Sequence, residues 1–258
     1  MVMALCLGAS LISQVARERE SAEQMERVQR RSAREVLAAE EADADEESLE
    51  SIKELGAITV NIGERGSGSR RVEALMSKNS DIVGWINIPG TVVDYPVMYR
   101  EGDSDYYLAH DFYKKSDRNG LPVLDGRNSA DMSEAVTLIH GHNLRSGNLF
   151  GALMDYQDEA FLYEHQDIML DTRTDSRHYE IIAVCITTAA GEADGYSFYE
   201  HLEPSSDEEA QELISHAKSA SIHRIAATAI PGDELLMLST CEYTKEDGRL
   251  LVIARRIR

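Results

Sequence analysis

The chain is poor in cysteine, in positive charge and in long apolar runs, and each shortage closes off a class of protein. Its three cysteines, Cys6, Cys185 and Cys241, form no CxxC pair, and an odd number argues against a disulfide framework. Lys and Arg number 26 against 46 Asp and Glu, a formal net charge of −20. A surface this acidic repels phosphate and argues against nucleic-acid binding. No apolar run reaches the roughly 20 residues that a bilayer span needs. The nearest is Met1–Ala16, apolar and uncharged, without the basic start or the A-x-A-like site of a signal peptide. We read it as the outer part of a signal anchor whose start is missing, with an ordinary apolar helix start as the alternative.

What is present suits one good-sized core with a tail: 258 residues, 43% of them hydrophobic. Residues Arg17–Leu55 are charged, rich in Ala and Glu, and free of Gly and Pro, which favours helix. Within them Glu40–Glu50 is strongly acidic and reads as a solvated face or frayed linker. Asn61–Ser69 is Gly/Ser-rich and reads as a flexible joint. The expected division is therefore a partial anchor over 1–16, an acidic helical stalk and linker over 17–69, and a folded domain over 70–258.

The folded part opens with a short helix at Arg71–Ser77 and then turns to short strands. Trp85–Ile88 and Thr91–Met98 flank the turn dipeptide Pro89-Gly90. Leu121–Leu124, Ala135–His140, Ile168–Asp171, His178–Thr188, Glu234–Thr240 and Leu250–Ile257 complete the strand expectations, and Asn148–Tyr156 has helical spacing. Ser206–Ser219 reads as a helix with Ser206 as N-cap and acids in its first turn. The fold expected is mainly β, a closed or nearly closed barrel with peripheral helices and an N-terminal helical segment.

Three side chains at strand ends carry chemistry. Cys241 ends the run Leu-Met-Leu-Ser-Thr, His142 follows the run ending at His140, and Arg249 opens the last strand after the turn Glu246-Asp247-Gly248. A thiol, an imidazole and a guanidinium so placed are the parts for covalent acyl transfer: nucleophile, proton carrier and a positive charge for a developing oxyanion. Each alone has an ordinary alternative. Cys241 is equally a rim cysteine with no role, His142 a loop histidine, and Arg249 a rim partner of Glu242 or Asp247. Cys185, inside the run Ile181–Ala190, reads as a small buried hydrophobe. A zinc site from His140, His142 and Cys241 lacks a fourth ligand and the usual spacing, so no metal is expected.

Taken together, these motifs resemble those of the sortases, the cysteine transpeptidases of the Gram-positive cell surface. Leu238-Ser239-Thr240-Cys241 resembles the family's TLxTC strand end, with Met237 where Thr is common. Gly141-His142-Asn143 resembles the catalytic-histidine turn, and Gly248-Arg249-Leu250 with Val252-Ile253-Ala254 the arginine strand. Asp81–Met98 and Tyr106–Phe112 look like opening strands of class B sortases, and Ser206–Ser219 fits that class's helix before the seventh strand. The resemblance spans about Val72 to Ile257. It implies a closed barrel of about eight strands.

It also implies that Cys241 attacks the carbonyl of a Thr in a C-terminal sorting signal, forming a thioacyl enzyme that an amine then resolves. The amine belongs to a peptidoglycan precursor or to a pilin lysine. His142 would protonate the leaving amine and deprotonate the entering one, and Arg249 would hold the oxyanion. Ser239, Thr240 and Asn143 are the expected substrate-groove contacts. No cofactor is implied. The partners are surface proteins or pilins with a sorting signal, a cell-wall precursor amine and, through the N-terminal anchor, the membrane. The expected location is therefore the cell membrane, single-pass, with the catalytic domain outside. A hydrolase using water as acceptor, and an inactive surface-binding module, are the rival readings. At reference pKa values of about 8.5 for Cys and 6.5 for His, the thiolate–imidazolium pair is only about 1% of the neutral pair, so the site must shift those values or react through a minority form.

Overall fold

The computed structural model describes residues 16, 19–31, 33–34, 67–191 and 196–257. A helix over residues 19–31 (α1) is followed by α2 (Ser67–Met76) and then by eight strands. These are β1 (Ile82–Asn87), β2 (Asp94–Met98), β3 (Val123–Leu124), β4 (Val136–His140), β5 (Asp167–Thr172), β6 (Ser176–Thr188), β7 (Leu235–Cys241) and β8 (Gly248–Arg256). They close into a barrel in the order β1-β2-β3-β4-β7-β8-β6-β5, with β5 returning to β1. Helix α3 (Glu159–Glu164) precedes β5, and α4 (Asp207–Ala220) lies in the β6–β7 connection. Ser206 caps α4 by accepting from the Glu209 amide, with Asp207, Glu208 and Glu209 in the first turn.

Strands β7 and β8 read as unbroken apolar runs because both of their faces are covered. Leu236 and Leu238 of β7, with Leu250, Val252 and Ala254 of β8, point into the barrel beside Ile86, Phe150 and Leu170. Their neighbours Leu235, Met237, Leu251 and Ile253 point outward, under Leu213, Ile214 and Ala217 of α4. That outer face matters for the site. Successive rungs across β4, β7 and β8 are Leu138–Met237–Ile253 and then His140–Ser239–Leu251, with Cys241–Arg249 above them. The apolar rungs anchor the sheet, and the polar ones emerge at its rim.

Helix α1 lies against the barrel. Val28 is fully buried among Val72, Leu75, Trp85 and Tyr107. Ser21 donates to Asp117 at 2.6 Å and Gln24 to Asp111 at 2.8 Å. Helix α2 is fixed by Arg71, which pairs with Asp94 at 3.2 Å and lies 4.7 Å over the Trp85 ring.

Several expectations move. Helix α2 begins at Ser67, so the last residues of the stretch read as linker are helical. The segment Phe150–Gln157 is a 3-10 helix, and α3 was not foreseen. The expected membrane location does not stand. Among the described residues no helix is long and apolar enough to cross a membrane. Helix α1 is mostly exposed, charged residues with one buried stripe, and that stripe faces the barrel. The apolar stretch 1–15, Cys6 and the acidic run Glu40–Glu50 lie outside the described residues.

Candidate active site

Cys241 is the last residue of β7 and stands opposite Arg249, the second residue of β8. Its thiol is free and partly exposed, whereas Cys185 is fully buried. Beyond His140 the chain of β4 turns but stays tied to β7. The Gly141 amide donates to Ser239 O at 3.0 Å, Thr240 Oγ1 donates to Gly141 O at 2.8 Å, and Asn143 Nδ2 donates to Cys241 O at 2.8 Å. His142 sits between two of these ties, so the imidazole and the thiol belong to one fastened rim. Gly141 allows the turn to approach closely, because a Cβ there would lie 2.6 Å from the Phe150 ring.

His142 Nε2 lies 2.8 Å from Leu108 O. A carbonyl oxygen only accepts, so Nε2 carries a hydrogen and donates. Among the described residues Nδ1 has no hydrogen-bond partner. It is the nitrogen left to take and give a proton. Leu108 lies in the 3-10 turn Tyr106–Ala109.

Arg249 Nη1 donates to Asp247 O at 3.1 Å and to Gly248 O at 2.9 Å. Among the described residues the guanidinium makes no ion pair. Pairing with Glu242 or Asp247 side chains, the ordinary alternative, is not what the structure contains. Glu242 is 4% exposed and spends its carboxylate on the turn, accepting from the Thr244 amide and from Thr244 Oγ1 at 2.7 Å. The positive charge beside Cys241 is thus held by carbonyls and left unneutralised.

The three residues expected in the substrate groove lie here but face inward or along the rim. Thr240 and Ser239 are buried. Thr240 bonds Gly141 O, Asn143 bonds Cys241 O, and Ser239 Oγ lies 2.9 Å from Tyr199 OH. His140, His142 and Cys241 do not converge as metal ligands: His140 Nε2 is taken by Asp125 at 2.8 Å and His142 Nε2 by Leu108 O. Sequence reasoning missed Tyr199. Burial raises its phenol above the ordinary value, while its bond with Ser239 and the charge of Arg249 oppose the rise. It therefore stays a neutral hydroxyl within electrostatic reach of Arg249 and Cys241. No motif marks it in the chain.

Comparison with known proteins places the chain in a family. The Sortase domain family profile matches residues 86–257. Sortase B of Listeria monocytogenes is 30% identical over 198 residues, 76% of this chain and 77% of the relative. Sortase B of Staphylococcus aureus is 28% identical over 188 residues, 72% and 74% of the two chains. Among solved structures, a Staphylococcus aureus sortase B–substrate complex superposes with a TM-score of 0.66 at 27% identity, covering 74% of this chain and 86% of that one. The chain belongs to the sortase family, whose members are cysteine transpeptidases, and its relatives are of the class B kind. Family substrates carry sorting signals and are joined to cell-wall precursors.

Proposed function

We propose that this transpeptidase cleaves a C-terminal sorting signal after Thr and transfers the acyl group to an amine of a peptidoglycan precursor or a pilin lysine. Cys241 as thiolate attacks the Thr carbonyl carbon. Arg249, with no acidic partner among the described residues, faces the oxyanion that develops, where an unneutralised cation is most effective. The tetrahedral intermediate collapses, the amide C–N bond breaks, and the departing nitrogen takes a proton from His142 Nδ1. The acceptor amine then gives a proton to the same nitrogen as it attacks the thioester, and the thiolate leaves. Leu108 O keeps the imidazole oriented throughout by holding Nε2–H. Thr240, Asn143 and Ser239 serve this reading as ties that fix the rim.

The observation that carries the proposal is the Cys241–Arg249 rung, bound to the His142 turn through Thr240 and Asn143. The test is mass spectrometry of the protein with peptides bearing NPQTN-like, LPxTG-like and PPxTG-like signals, with and without triglycine. A product ending in Thr-Gly-Gly-Gly is expected from one signal class. Release of the free acid alone, even with triglycine in excess, contradicts transpeptidation and favours hydrolysis.

A further inference from the structure

A charged assembly lies one rung below Cys241 that acyl transfer does not use directly. Asp125 follows β3 and accepts twice from Arg127, from Nε at 2.7 Å and from Nη2 at 2.8 Å. Its Oδ2 also lies 2.8 Å from His140 Nε2. Burial alone would raise the Asp125 pKa, but the Arg127 and His140 hydrogen bonds hold it well below the usual carboxylate range. The group is a carboxylate, so His140 Nε2 is a donor to it. Arg127 also donates from Nη1 to Tyr199 O. The rings of His140 and Tyr199 lie near parallel, 15° apart with centroids at 6.1 Å. Tyr199 OH in turn reaches Ser239 Oγ at 2.9 Å. His140 and Ser239 are register partners, and Ser239 shares Cys241's face of β7 two residues earlier.

We propose that His140, anchored by Asp125 and Arg127, is a positioning residue for acyl transfer. It holds Tyr199 against Ser239 and so sets the strand end that carries Cys241. The proposal rests on the reading of Cys241 as nucleophile. Tyr199 sits in a single 3-10 turn, Phe198–Glu200, at the rim. So short an element has little stiffness of its own and takes it from neighbours. Arg127 grips that turn by its backbone and His140 by its ring, while the Asp125 carboxylate keeps both in place. Charge-assisted hydrogen bonds and a stacked ring are directional, as holding one geometry requires.

The test uses full-length protein and the variants His140→Ala, Tyr199→Phe and their double. Amide exchange at Glu200 and His201, whose N–H groups bond Ser197 O and Phe198 O, is read together with thioacylation by a sorting peptide per titrated Cys241 thiol. His140→Ala is expected to speed that exchange about tenfold and to lower kcat about tenfold with KM within about twofold, as a small misplacement of reacting groups does. Tyr199→Phe should give a similar kcat, and the double should be no slower than the slower single, as in a shared pathway. Unchanged exchange in His140→Ala, or losses that multiply in the double, would overturn the proposal. A wild-type protein that forms no thioacyl adduct would sink the nucleophile reading instead, and the exchange result would still decide whether His140 holds Tyr199.

Discussion

Cys241 and Arg249 occupy one rung of the β7–β8 hairpin, and among the described residues the guanidinium is bound by two backbone carbonyls and no carboxylate. An acid paired with Arg249 would lower the charge available to an oxyanion. The sequence offers two candidates, Glu242 and Asp247, and the fold sends both elsewhere. Glu242 closes its own turn, and Asp247 sits at φ 51° with only its carbonyl toward Arg249.

Replacing the guanidinium therefore removes a charge that no other described residue supplies beside Cys241. Arg249→Ala is expected to slow thioacylation about 10²–10³-fold, the usual cost of losing an oxyanion donor. Arg249→Lys should recover little, because an ammonium lacks the planar fork that spans two carbonyls and a ligand. Single-turnover kinetics check this, and a loss under about tenfold would remove Arg249 from the mechanism.

Gly120 packs against the carbonyl that His142 bonds. It has φ +60°, and a Cβ there would lie 2.4 Å from Leu108 O, the acceptor for His142 Nε2. Gly120→Ala is expected to displace that carbonyl, lower the melting temperature and cut turnover about tenfold. Gly102→Ala is the control. It has a similar φ of +78° but open space around it, so it should bring strain without loss of turnover.

Lys218 of α4 donates to three backbone carbonyls, Ile182 O at 3.0 Å, Ile225 O at 2.6 Å and Ala227 O at 2.7 Å. Desolvation lowers its pKa, the sign of an ammonium held partly out of water. Lys218→Met keeps the stem but strands three acceptors, at an expected cost of about 2 kcal/mol. Urea unfolding at neutral pH measures it, and the residues after α4 should become the first site of proteolysis.

Asp125 makes stability depend on acid. Its folded-state pKa is depressed, so its contribution is complete above the unfolded value of about 4 and is lost as pH falls toward the folded one. The stability gap between wild type and Asp125→Asn should be full at pH 7 and shrink below about pH 4. A gap that stayed constant to pH 3 would mean that the Arg127 and His140 bonds add nothing.

Much of the barrel could be read from the chain. Each of the longer strands was foreseen to within a few residues, because short β-branched runs broken by turn signals leave few options. That Cys241 and Arg249 lie on neighbouring strands followed from the hairpin, and the structure adds that they are register partners. Helix α3 was missed because six residues carry too few turns of periodicity. Tyr199 and Asp125 were missed for a different reason. They reach the site by packing across the sheet, from positions 40 and more than 100 residues before Cys241's neighbourhood, and no local pattern encodes such a contact. His140 was visible as the histidine that ends β4, but its purpose depends on the Asp125 carboxylate, which only the folded chain brings to it.

The most direct measurement is to trap the thioacyl enzyme formed with a sorting peptide, digest it, and locate the acyl group. The account predicts a thioester on Cys241, sensitive to hydroxylamine and absent in Cys241→Ala. Undiminished turnover by Cys241→Ala, or an acyl group on another residue, would contradict it.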